Sequence, residues 1–210
     1  GKVSRLKDKT GNGNDFVQSV DLNKPIHILD GLNGIPFLSF SRSSKSFMAW
    51  KGLYPTGATA KSTKIILVKT VDDFDTSVAN ILSSNNPNNG RHALYMKSAG
   101  QMAIDGPAGS GIDEIFVDDQ AGGWVLAIAE YDSVNEYIKL TVGGVSVIYN
   151  GAFTVENTSL ALGSGEDGVA ASNATMDVAE IMIFEDTVTD KPETLQLIRD
   201  YIENKYGISV

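Results

Sequence analysis

The run Ile181-Met-Ile-Phe184, closing the segment Asp177-Val-Ala-Glu-Ile-Met-Ile-Phe184, constrains this chain more than any other stretch. Four consecutive apolar residues in a strand place apolar groups on both faces, so the strand needs a layer on each side and belongs in the middle of a sheet. The sequence that follows supplies one layer. Asp190-Lys-Pro-Glu193 reads as a helix N-cap with an acidic residue three positions on and a proline in the first turn. Leu195, Ile198 and Ile202 then recur at helical spacing with Leu197 and Tyr201 beside them, Arg199, Asp200, Glu203 and Asn204 face away, and Gly207 ends the run. The spacing predicts one amphipathic helix over 190–206.

The rest of the chain reads as short strands and turns. Phe16 to Val20, Pro25 to Leu29 and Glu114 to Asp118 look extended. Lys64-Ile-Ile-Leu-Val68 is apolar and β-branched, so it belongs in the interior. Pro36 to Phe40 and Ser46 to Trp50, either side of the polar turn 41–45, follow hairpin logic. Thr70 to Leu82 has room for a short helical turn, and Ser83 to Gly90 is the strongest loop signal. With 21 glycines in 210 residues and helix signals confined to the last twenty, the expectation is one all-β domain over 1–210, a sandwich of two antiparallel sheets. There is no cysteine, which excludes disulfides and thiolate chemistry. A net charge of −9 without a basic run argues against nucleic acid as a partner, and no apolar run reaches the length of a membrane span.

Three segments carry a resemblance. The ending Val178 to Phe184, an acidic loop, the capped helix and Tyr201-Ile-Glu-Asn-Lys-Tyr-Gly-Ile208 resemble bacterial and phage domains of the laminin-G-like, concanavalin A-like superfamily. Lys7-Asp-Lys-Thr-Gly-Asn-Gly-Asn-Asp-Phe16 is similar to the Asp-x-Ser-Gly-Asn-Gly-Asn-Asp turn at the start of such domains, with Thr10 for Ser and no upstream Trp. Trp124 to Tyr131 and Ile138 to Ile148 resemble the strand, hairpin and x-x-V-x-G strand of the same group. The resemblance implies a concanavalin A-like jelly roll with one C-terminal helix. It leaves function open, because this fold hosts lectins, glycan-binding modules, hydrolases, lyases and spacers.

Glu114, Asp118 and Asp119 are the foremost enzymatic candidates, since related glycosidases set carboxylates at alternate positions of one strand. Here Phe116 and Asp118 break that pattern. Arg91-His92-x-x-Tyr95 reads either as a remnant of a lyase set or as a strand with a polar edge. Laminin-G-like domains often hold calcium at an acidic rim, so the resemblance implies calcium as the ion. Asp105, Asp113, Asp118 and Asp119, which bracket one loop, are the candidate ligands, with Glu166 and Asp167 in another. Glycan binding calls for exposed rings and hydrogen-bonding side chains. Trp50 and Tyr54, in Trp50-Lys-Gly-Leu-Tyr54 at a strand-to-loop boundary, come first, joined by Arg91, His92 and Tyr131, while Trp124, at the same parity as Leu126 and Ile128, reads as core first and as a ligand platform second. The expected function is a noncatalytic carbohydrate-binding or adhesion module, extracellular, on a cell surface or on a virion, with polysaccharide as partner. A hydrolase or lyase, and a structural domain that self-associates or decorates a larger surface protein, are the rivals.

Overall fold

The computed structural model describes residues 1–70, 78–84, 92–97, 100–105, 114–118, 122–156, 158–164 and 173–209. Within them the chain forms two antiparallel sheets and one α-helix. The eight-stranded sheet runs in spatial order β1 (Arg5–Leu6), β2 (Phe16–Val17), β5 (Met48–Trp50), β14 (Ala161–Leu162), β7 (Ala79–Ser83), β8 (Ala93–Lys97), β9 (Gln101–Asp105) and β10 (Glu114–Val117). The seven-stranded sheet runs β13 (Val145–Asn150), β12 (Tyr137–Val142), β11 (Trp124–Asp132), β6 (Lys61–Thr70), β15 (Met176–Phe184), β4 (Ile35–Phe40) and β3 (Ile26–Leu32). Helix α1 spans Pro192–Tyr206.

The side-chain period of two divides the apolar residues of the seven-stranded sheet between two cores. On β6, Ile66 and Val68 join the core between the sheets, while Ile65 and Leu67 meet α1 on the outer face. On β11, Ala127 and Ala129 point inward and Leu126 and Ile128 outward. The helix answers with Ile198, Ile202 and Tyr206, all buried, and each such aliphatic side chain contributes about 2 kcal/mol. β15 is central at its start, where Met176–Val178 lie between β6 and β4, whereas the Ile181–Phe184 run, expected mid-sheet, pairs with β6 alone among the described residues and takes its cover from the two faces, the inter-sheet core and α1.

Two local expectations change. Asp190 does not cap the helix: Lys191 is the N-cap without a side-chain bond, Pro192 is the first helical residue, and Asp190 instead accepts from the Thr187 hydroxyl at 3.2 Å. Gly207 does end the helix, at φ 65°. Segments 36–40 and 46–50 are not a hairpin, because β4 and β5 lie in different sheets. Phe40 and Met48 both enter the inter-sheet core, and alternation serves a corner between sheets as well as a hairpin. The corner is closed by the Ser41 amide donating to Ser46 Oγ at 2.6 Å and the Ser46 amide donating to the Ser41 carbonyl at 3.1 Å. The end of the 70–82 segment is strand β7, and the stretch with room for a helical turn, residues 71–77, lies outside the described residues.

Candidate functional site

The Lys7–Asn14 connection between β1 and β2 is a rigid turn built on one carboxylate. Asp8 accepts from the Thr10 amide at 2.8 Å, the Thr10 hydroxyl at 2.6 Å and the Asn14 amide at 3.1 Å. These bonds, the Thr10 hydroxyl first, hold the Asp8 carboxyl below its ordinary range. The chain can double back because Gly11 and Gly13 take φ of 84° and 82°. Asp15, which accepts from the Asp8 amide at 2.8 Å and pairs with Arg5, anchors the turn to the sheet.

Opposite the turn the seven-stranded sheet opens. β15 pairs with β4 only at Met176–Val178, and a bulge at Ala179 then lets the two strands part. From Glu180 to Phe184 β15 keeps β6 on one side and, among the described residues, has no strand on the other. The gap is a cavity of about 630 Å3, within the range of small-ligand sites. Its walls are Val178–Glu185 of β15, Pro36–Leu38 of β4 with His27 of β3, and the turn. Phe16 and Trp50 reach it from the other sheet and Tyr201 from the helix.

Trp50 is half-buried there, its indole N–H donating to the Asn14 carbonyl at 2.7 Å and its ring stacked on Phe16 at 6.4 Å between centroids. A Cβ on Gly52 would collide with that ring, so glycine is required where the chain passes beneath it. Glu180 sits at the junction. One oxygen accepts from the Tyr201 hydroxyl at 2.6 Å, Lys205 at 2.6 Å and the Tyr206 hydroxyl at 3.1 Å, and the other faces Lys9 at 3.6 Å. Burial pushes the Glu180 carboxyl up, but the Lys205 and Tyr201 bonds outweigh it and the net direction is down. Burial likewise drives the Tyr206 hydroxyl up to about 12.

The other expected ligand residues are not at this surface. Tyr54, His92 and Tyr131 lie wholly inside the sandwich, at 1%, 0% and 0% exposure, so none presents a ring to a sugar. They surround Lys64, itself 0% exposed. The Lys64 ammonium donates to the His92 carbonyl, lies 2.7 Å from His92 Nδ1, and stands 4.9 Å and 5.4 Å from the Tyr54 and Tyr131 ring centres. His92 stacks on Tyr54 at 3.8 Å. Arg91 lies outside the described residues.

The described acidic candidates, Asp105, Glu114 and Asp118, are on the outer face of the eight-stranded sheet. Glu114 of β10 accepts from the Tyr95 hydroxyl and pairs with Lys97, while Asp118 accepts from Gln101 at 2.7 Å. Asp118 follows the last residue of β10, so about 13 Å of extended backbone separates it from Glu114, beyond the roughly 5–9.5 Å of glycosidase pairs. The same geometry separates the calcium candidates. Asp105 pairs across the sheet with Glu114, at the opposite end of the β9–β10 pair from Asp118, so these two cannot share an ion. Asp113, Asp119, Glu166 and Asp167 lie outside the described residues, among which no cluster of three or more His, Cys, Asp or Glu side chains forms a metal site. Sequence reading also passed over Phe116, 40% exposed beneath Lys97 at 5.6 Å.

No family model matches this chain, and no curated protein sequence does. Solved structures do. A heptameric SAP-like pentraxin from Limulus polyphemus superposes with a TM-score of 0.53 at 15% identity, covering 73% of this chain and 74% of that one. The CBM40 of a Ruminococcus gnavus IT-sialidase, bound to α2,3-sialyllactose, gives 0.53 at 16% identity over 66% of this chain and 83% of that one. A mutant of the NanB sialidase from Streptococcus pneumoniae gives 0.52 at 15% identity, covering 68% of this chain and 27% of that one. At these identities the likeness is one of fold, and with the two antiparallel sheets and the single C-terminal helix it establishes that the chain adopts the concanavalin A-like lectin/glucanase sandwich.

Proposed function

We propose that this chain is a noncatalytic carbohydrate-binding module, serving adhesion in an extracellular, cell-surface or virion protein, and that it takes a saccharide in the cavity beside Trp50. One observation carries the reading: a cavity of about 630 Å3 in which aromatic rings meet two side-chain amides and a strand edge that have no hydrogen-bond partner among the described residues. The side-chain amides of Asn12 and Asn14 make no hydrogen bond among the described residues, and the free edge of β15 offers main-chain donors and acceptors. A sugar supplies what both lack. Its hydroxyls pair with amides and backbone, and its ring hydrogens pack on an indole or phenyl face. A carbohydrate-binding module of the same fold holds sialyllactose, which supports the reading.

The test is a glycan panel followed by titration calorimetry on any hit, with reducing-end release measured in parallel. Binding without turnover is expected, and Trp50→Ala, folded by circular dichroism, should weaken it at least tenfold. Unchanged affinity in the folded variant would take Trp50 out of the site, and steady turnover would replace the module with an enzyme.

A further inference from the structure

The charges around the cavity are unevenly used. Asp8 accepts three hydrogen bonds from neutral donors of its own turn and keeps its negative charge. Glu180 is matched by Lys205 and two tyrosine hydroxyls. The lysines are not so engaged: Lys7 has no hydrogen bond or ion pair among the described residues, and Lys9, 75% exposed, reaches only the already matched Glu180 at 3.6 Å. Glu185, the remaining acid of the lining, follows the last residue of β15, about 16 Å of extended backbone from Glu180 at the far end. At this end three ammonium groups, Lys7, Lys9 and Lys205, stand against two carboxylates, Asp8 and Glu180, a surplus of one positive charge on a chain whose net charge is −9. A surplus of ammonium groups beside apolar rings and unbonded amides suits a ligand with a sugar's hydroxyls and apolar ring face together with a fixed negative charge.

We propose that the ligand of this cavity is an acidic saccharide whose carboxylate is held by Lys7 and Lys9 at the turn. The sugar ring lies toward Trp50 and Phe37, and its hydroxyls pair with Asn12, Asn14 and the open edge of β15. This inference rests on the carbohydrate-binding reading and adds the class of sugar. Because both lysines are exposed, the contact responds to salt, and affinity falls as ionic strength rises.

Titration calorimetry with polygalacturonate, alginate and sialyllactose, set against dextran and galactan as neutral probes, tests it. The acidic probes are expected to bind, and the Lys7→Gln, Lys9→Gln double variant to lose at least tenfold. A control of equal charge change away from the cavity, Lys2→Gln with Lys45→Gln, should lose less than twofold. Neutral probes binding as tightly as acidic ones, or equal losses in the two double variants, would overturn the acidic-sugar inference while leaving a glycan-binding module standing. Silence across all five probes would overturn both.

Discussion

The interior cluster around Lys64 and the cavity beside Trp50 are made of the same kinds of residue and behave as opposites. Each has a lysine, aromatic rings and a histidine, and Tyr54 touches both, stacked on His92 at 3.8 Å and edge-on to Trp50 at 6.4 Å. In the interior the polar atoms bond to one another and exposure is nil. In the cavity Lys7, two side-chain amides and a strand edge have no partner among the described residues. Residue type thus does not separate a packed core from a binding site. What separates them is whether polar groups are already paired, and that depends on contacts between segments remote in sequence.

The contrast breaks most readily at Lys64. Lys64→Ala should cost on the order of 3 kcal/mol in urea unfolding, since it opens a void and strips His92 of its partner, whereas Lys64→Met, which refills the volume, should cost less than half of that. An alanine variant as stable as the parent would show that the cluster is not the closed unit described here. Glu180 sharpens the comparison from the other side. Its folded pKa lies below the unfolded value, near 4.5, so its contribution is complete above that pH and is lost as the pH falls through the lower folded value. Glu180→Gln should remove about 2 kcal/mol at neutral pH and flatten the decline in stability below pH 4.5, and an unaltered acid limb would exclude it as the titrating group. The smallest effect belongs to the turn. At Gly13 an added Cβ meets nothing within 4 Å, so Gly13→Ala should cost only the backbone strain of its positive φ, roughly 1 kcal/mol in melting.

Much of the fold was legible because it rests on local pattern. The Ile181–Phe184 run required cover on two faces, and the 3.6-residue spacing of Ile198 and Ile202 supplied one of them. The Thr10-Gly-Asn-Gly-Asn-Asp15 turn was visible from its residues, and the Thr10 hydroxyl closes it by donating to Asp8. The β4–β5 corner was misread because alternation says which face a side chain takes, not which sheet its strand joins. Of the expected ligand rings Trp50 alone lines the cavity, and Tyr54, four residues on, is core. The reach of β15 past β4, which makes the cavity, leaves no mark in composition or spacing.

The bulge at Ala179 has a consequence for how this molecule can vary. In unbroken register with β6, Glu180 would stand opposite Ile66 and be driven into the inter-sheet core; the extra residue sets it opposite Leu67, on the helix side, and frees the Ala179 carbonyl to accept from Tyr206 at 2.8 Å. Anchorage of the terminal helix and the mouth of the cavity are thereby coupled through the count of residues at a single point. That point should accept a change of side chain far more readily than a gain or loss of one residue, which would disturb scaffold and opening together.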